Sequence, residues 1–432
     1  MRRSARCIAL VGYFFVLVAC AGYRTTVVPR LTVMEEVTDN VFLSSSDPQT
    51  DVITSVTPGV TIATTGPTAS SSLSYDSTIR DYYETGTKLA TLHAVSFNAE
   101  KRFSRYSRVA LMDTFSYIDD PLTERDPRFT EADGADLPPS ETFRRTDVLP
   151  FYMNTVNMRF NHDFAPDSSA FFNYTNSILQ NDDPTVENNL RNEPSIGLTY
   201  WLNPRYGIET RAIYTRADFN LESDPFNEYQ WILRFMRRLT RNLDVFMEYR
   251  DTVMKMEGTD PDYCVYDWTA GVDYHPSRTT YLALSGGYFY RDQFESSRGG
   301  YVVRADMAKE FSRGRVRLSG GTGYRLTVGG EENLGFTEFK EVSAVGEYEF
   351  TRRLSGEATA SYAINQYNDA AGREDTPLTL GAGLSYRWNP WVLTRVHLAH
   401  RSVDSNTPGE SYDENRVMFS ISVIPPRPYI LK

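Results

Sequence analysis

From about residue 25 onward, apolar and polar residues alternate over segments of roughly ten positions, the period-two signal of a strand with two unlike faces. In residues 265–274, Tyr266, Trp268, Ala270, Val272 and Tyr274 fall on one side, with Asp267, Thr269, Gly271 and Asp273 on the other. Residues 206–215 repeat the arrangement, with Tyr206, Ile208, Ala212 and Tyr214 opposite Glu209 and Arg211. The same alternation runs through residues 228–238, 243–251, 315–328, 339–350, 354–365 and 378–388. Several of these segments carry aromatic residues at their ends, where the interfacial girdles of a membrane barrel would lie. Helical spacing is scarce.

The connections alternate in length. Short turns fall near residues 65–68, 101–105, 164–168, 203–206, 239–242, 275–278, 312–314, 351–353 and 389–390. Between them lie longer polar links at 81–88, 119–147, 181–190, 217–226, 254–262, 292–299, 329–337, 367–376 and 402–414. This rhythm matches the short periplasmic turns and longer external loops of an up-and-down barrel. It predicts an all-β, transmembrane, antiparallel barrel of about 18–20 strands, the lower count applying if the first pair lies outside the wall. Soluble sandwiches and propellers also alternate, because one face packs on a core. A propeller repeats a blade motif and none is visible. A sandwich would have difficulty using so many strands with Tyr and Trp exposed near their ends.

Composition sharpens this picture. Aromatic residues make up 13% of the chain, with 28 Tyr and 24 Phe, yet the mean hydropathy of -0.44 is too polar for a helical membrane protein. A barrel reconciles the two, since it shows lipid only alternate residues of each strand. A net charge of -11 argues against nucleic acid, which requires a basic surface to displace counterions.

Residues 1–21 read as a signal peptide: Arg2, Arg3 and Arg6 precede an apolar stretch at 8–18, and small residues follow. The stretch is shorter than the roughly 20 apolar residues a spanning helix needs. Ala19-Cys20-Ala21 fits ordinary signal peptidase, the favoured reading, while Leu17-Val18-Ala19-Cys20 also fits a lipobox that would leave Cys20 lipidated. Beyond residue 21 no run approaches a spanning helix, so crossing a membrane falls to strands. Cys7 and Cys20 belong to the leader, which leaves Cys264 alone and no disulfide framework. Residues 22–424 form the expected barrel. Residues 425–432 form a proline-rich tail, readable as a periplasmic docking segment or as an unordered end.

Assigning the apolar faces to lipid places Glu209, Arg211, Arg234, Glu248, Arg250, Arg304, Asp306, Arg317, Arg325, Glu341, Glu347, Glu357, Arg387 and Arg395 in the lumen. Charges at membrane depth are tolerated where they line water or pair with one another. Two readings stay open: contact with a hydrophilic solute, or cross-strand pairing that stabilises the wall. Barrels of about 16–18 strands leave an aqueous channel, and no separate plug domain is evident. Residues 119–147 are the candidate for a folded-in obstruction, the other reading being a solvated outer loop. Catalysis has little support. His93, His162, His275, His397 and His400 show no persuasive Ser or Asp partner in the sequence, and no HExxH, CxxC or glycine-rich phosphate loop occurs. Neither enzyme activity nor a metal or cofactor is expected.

Three N-terminal segments carry a family resemblance: MEEVTDNVFL (34–43), DVITSVTPGV (51–60) and LSYDSTIRDYY (73–83), with the Asp39-Asn40 pair and Thr57-Pro58-Gly59 as their marked features. They resemble the opening of a family of outer-membrane β-barrel porins, often encoded beside exopolysaccharide or exosortase-linked genes. The resemblance implies an outer-membrane conduit in the secretion of an extracellular polysaccharide. The molecule expected is a monomeric barrel, with outer-membrane lipid, the polysaccharide and periplasmic export components as partners. A general diffusion porin for small solutes, and an adhesive barrel with a closed lumen, are the alternatives.

Overall fold

The structure, a computed structural model, describes residues 23–85, 89–119, 150–221, 223–258, 261–293, 297–329, 332–368 and 372–431. The predicted signal peptide with Cys20, and nearly all of the predicted obstruction at 119–147, lie outside these residues.

Strands account for most of the described chain. The first seven are β1 (Arg24–Thr38), β2 (Asp51–Thr65), β3 (Ala69–Tyr82), β4 (Ala90–Arg102), β5 (Ser107–Asp119), β6 (Phe151–Ala165) and β7 (Ser168–Asn181). Then come β8 (Asn189–Asn203), β9 (Tyr206–Phe219), β10 (Phe226–Thr240), β11 (Leu243–Met256), β12 (Tyr263–Ser277), β13 (Thr280–Gln293) and β14 (Arg298–Phe311). The last are β15 (Gly314–Gly329), β16 (Glu332–Glu349), β17 (Leu354–Tyr367), β18 (Glu374–Arg387), β19 (Val392–Ser405), β20 (Tyr412–Val423) and the short β21 (Tyr429–Leu431). Among the described residues no helix is long and apolar enough to cross a membrane.

From β1 to β20 each strand pairs antiparallel with the next, and β1 pairs with β20, so twenty strands close into one barrel. The first pair therefore belongs to the wall, which takes the higher predicted count. Closure removes the open edges that would leave backbone groups unpaired in lipid.

The short turns are set by side chains that replace missing backbone partners. Asn203 Oδ1 accepts from the N–H groups of Arg205 at 2.9 Å and Tyr206 at 3.1 Å. Asn389 Oδ1 does the same for Trp391 and Val392, and Thr351 Oγ1 for Arg353 and Leu354.

The tail is part of the wall. After Pro425, Pro426, Arg427 and Pro428 break the ladder, Tyr429–Leu431 resumes pairing against β1, with Tyr429 opposite Val27 and Leu431 opposite Thr25.

Register fixes the faces. Along β9 to β14, Tyr206, Trp231, Met247, Trp268, Leu284 and Tyr301 occupy one face and are exposed, Met247 by 69% and Tyr301 by 74%. These values suit residues waiting for acyl chains rather than for a protein core. On the other face side chains two strands apart meet: Arg234 of β10 reaches Asp273 of β12 at 3.0 Å, and Arg325 of β15 reaches Asn365 of β17 at 2.7 Å. Side chains converge in this way on the concave side of a curved wall.

Toward the long-loop end the inner side becomes apolar. Val41, Ile53, Tyr82 and Ala90 form one buried cluster, Leu92, Ile118 and Phe151 a second, and Ala217, Phe226 and Met254 a third.

Candidate functional site

The polar face carries the predicted charges, mostly as neighbouring pairs. Arg211 donates to Glu209 at 3.4 Å on β9, and Arg250 to Glu248 at 3.1 Å on β11. Arg325 reaches Glu341 at 3.2 Å, Arg315 reaches Glu347 at 2.5 Å and Arg395 reaches Glu357 at 3.7 Å. Register puts Arg304, Asp306, Arg317 and Arg387 on the same face, as the neighbours of Ser285, Ala283, Ala308 and Leu393. The structure thus gathers the predicted residues in local pairs around the wall rather than at one centre.

Several arginines also lie flat on rings. The Arg234 guanidinium sits 3.5 Å from the centre of Phe246, Arg238 3.7 Å from Trp201, and Arg325 4.3 Å from Phe339. Phe171 is shared by Arg159 at 4.9 Å and Arg211 at 5.3 Å. Each of these rings lies over a glycine of the neighbouring strand: Phe171 over Gly197, Trp201 over Gly207, Phe246 over Gly271 and Phe339 over Gly323. Such contacts hold rings and guanidiniums against the wall, and the edges of Arg211, Arg234 and Arg325 also bond Glu209, Asp273 and Glu341. Sequence reasoning found Arg211, Arg234 and Arg325 by parity but missed Arg159, Arg238 and the ring partners, which sit on other strands.

One element departs from the wall. Pairing between β14 and β15 extends only to Val303 opposite Thr322, whereas β15 and β16 remain paired up to Gly329 and Glu332. Beyond Thr322 the hairpin lies across the inner face of β12 to β14. Phe336 packs with Val265, Phe289 and Val302, and Tyr324 joins the cluster. Tyr324 lies 4.7 Å from the Phe289 ring and stacks on Phe336 at 5.5 Å. Arg298 binds Glu338 at 2.9 Å, and the Arg291 guanidinium lies 4.5 Å from the Phe336 ring. Neighbouring strands stand about 4.8 Å apart, so Phe336 of β16 could not pack against Val265 of β12 from a place in the wall.

Another polar cluster locks the seam between the first and last strands. Arg416 bridges Glu36 at 3.2 Å and Glu414 at 2.6 Å, and Thr38 donates to Glu414 at 2.8 Å. Above them Asp39 accepts from the Asn415 backbone and side chain, both at 2.7 Å, while Asn40 donates to the Asp413 carbonyl at 2.8 Å. In the loop after β11, Arg216 and then Asn227 hydrogen-bond Glu257 and hold its carboxyl below the ordinary range.

The histidines do not converge. His93 meets Tyr75 at 3.0 Å, His400 meets Asn415 at 2.9 Å, and His397 and His400 face opposite sides of β19. His162 does have a serine, Ser107 at 2.9 Å, which the sequence did not reveal. Among the described residues no carboxylate hydrogen-bonds that imidazole, so the third member of a nucleophile–base–acid set is missing. Likewise, no group of His, Cys, Asp and Glu among them could hold a metal ion.

Residues 339–424 match the family described as "Putative beta-barrel porin 2". The porin resemblance drawn from the N-terminal segments is thus met at the opposite end of the chain. Among solved structures, the FrpB iron transporter from Neisseria meningitidis (F5-1 variant) is similar at 8% identity and a TM-score of 0.57, over 92% of this chain and 82% of that one. The siderophore receptor PirA from Pseudomonas aeruginosa is similar at 7% identity and a TM-score of 0.52, over 92% of this chain and 80% of that one. At such identities the likeness is one of fold. No curated protein matches the sequence. The chain is an outer-membrane β-barrel.

Proposed function

We propose that the barrel is an aqueous pore for a hydrophilic solute, and specifically that it passes an extracellular polysaccharide outward across the outer membrane. The observation that carries the pore reading is the polar face itself. Lipid-facing aromatics alternate with charges paired across one to two strands, including Arg234 with Asp273 and Arg395 with Glu357. A barrel of this strand number has room for water inside. The export reading rests on the porin resemblance and on the chemistry of the inner surface. Guanidiniums seated on rings, together with Ser and Thr hydroxyls such as the Ser319–Ser343 pair at 2.6 Å, offer many weak contacts. Weak and repeated contacts allow a chain to enter and still to leave.

Purified mature protein in planar bilayers is expected to conduct ions. Folded protein that forms no channels would refute the pore. A strain lacking the gene is expected to lose surface polysaccharide while cytoplasmic precursor synthesis continues. An unchanged coat would refute export and leave general diffusion of small solutes as the function of the same pore.

A further inference from the structure

We infer that the outer end of the β15–β16 hairpin is a folded-in ribbon that sets the bore of the passage, with Arg325 as its charged, solute-facing group. The inference rests on the pore reading and adds the place where passage is limited.

Three observations carry it. The ribbon forms a second layer: its pairing with β14 ends at Thr322, and Phe336 and Tyr324 then pack on Val265, Phe289 and Val302, which belong to three different strands of the inner wall. The docking is polar as well as apolar. Glu338 holds Arg298, and Arg291, only 2% exposed, lies under the Phe336 ring. With its amide oxygen turned toward Arg291, Asn368 accepts from both terminal nitrogens at 3.3 and 3.1 Å. The ribbon's opposite side then faces the passage, because successive residues of a strand alternate. That side presents Arg325, stacked on Phe339 and bonded to Glu341 and Asn365.

The backbone allows the departure. A Cβ on Gly321, where β15 leaves β14, would come within 2.5 Å of the Val303 carbonyl oxygen, so only glycine permits that approach. Gly335 beside Phe336 has φ 66°, a conformation glycine adopts without strain.

The test compares mature protein with the Tyr324→Ala/Phe336→Ala variant in planar bilayers, using polyethylene glycols of graded size as blockers. Heat-modifiable migration on gels confirms that each barrel is folded. The variant is expected to show a higher unitary conductance and to admit larger polymers. In a Cys264→Ser background, bridging Arg298→Cys to Glu338→Cys with a short bifunctional thiol reagent is expected to restore the parental values. Should the double variant fail to fold, Glu338→Gln, which weakens the polar side of the dock at Arg298 and leaves the ring packing in place, is read in the same way. Arg325→Ala removes a positive charge from beside Glu341, so the reversal potential in a salt gradient should shift toward the cation potential, and Arg325→Lys should reverse the shift. A merely structural Arg325 would not move that potential. Equal conductance and equal polymer cut-off in folded parent and variants overturn the constriction and leave the pore standing. Absence of channels in every form overturns both.

Discussion

The two sequence features that carried the family resemblance turn out to have structural work. Asp39 and Asn40 bolt the first strand to Asn415 and Asp413 of the last, inside the segment that matches the porin family. Gly59 is a floor: a Cβ there would collide with the Arg30–Asp76 ion pair, which spans β1 to β3 across its face. The seam cluster below Asp39 makes the strongest residue-scale prediction. Glu36 and Glu414 are 2% and 1% exposed and share Arg416 as a bridging cation. Replacing Arg416 by Met takes the bridging cation from two buried carboxylates and leaves them only the neighbouring Arg401, which should cost about 3–5 kcal/mol, read as a lower urea midpoint of unfolding from lipid vesicles. Adding Glu36→Gln should recover part of that loss, because one of the two charges is then gone. An Arg416→Met protein as stable as the parent would mean that the seam does not depend on this bridge. None of this pairing was legible in the sequence. Parity reveals that Glu36 and Arg416 are charged positions on strands, and barrel closure brings a first and a last strand together, but neither gives the register that sets these side chains face to face.

At the scale of strands, alternation and turn chemistry were legible because both are local. The nine predicted short turns all fall between consecutive strands, and residues such as Asn203 and Asn389 announce them. What alternation does not reveal is which surface an apolar face meets. Tyr324 continues the lipid-facing parity of Leu318, yet it packs on the inner wall. A second signal was present. At 263–266, 288–290 and 301–303 the chain is apolar at both parities, as expected where a strand is covered on both sides. The predicted obstruction at residues 119–147 lies outside the described residues except for Asp119, and the folded-in element that the structure describes is a hairpin whose strands read as ordinary wall. The face assignment elsewhere is tested by adjacent residues of β18. Leu380, exposed and opposite Ala360, points to lipid, and Thr379, opposite Ser361, points inward. Leu380→Arg should destabilise the barrel by about 2–4 kcal/mol if it lies near the bilayer midplane, measured as reduced folding yield into vesicles, while Thr379→Gln should fold like the parent. The reverse order would invert the inner and outer faces.

For the whole molecule, closure and charge balance are the properties that matter. The tail contributes to closure: three residues of β1, Val28, Pro29 and Arg30, stand opposite the proline break, and β21 then covers Thr25 to Val27. A segment of three strand residues behind three prolines carries too short a pattern to be read as a strand. Truncation after Ile424 should therefore leave the upper seam intact and open the lower one, seen as faster amide exchange confined to residues 25–27; exchange unchanged there would show that β21 adds nothing to closure. Charge balance bears on what the pore admits. On the inner face Glu209, Glu248, Asp273, Glu341, Glu347 and Glu357 each have an arginine beside them. Paired charges present dipoles rather than a net field, and the remaining potential is screened within about 10 Å at 0.1 M salt. The parent pore should accordingly show a reversal potential near zero in a potassium chloride gradient, with little dependence on ionic strength. That behaviour suits a neutral or sparsely charged sugar chain, which a strongly one-signed lumen would neither attract nor release. A steep preference for anions or cations in the parent would mean that unpaired charge governs the passage, and the polysaccharide reading would lose its physical support.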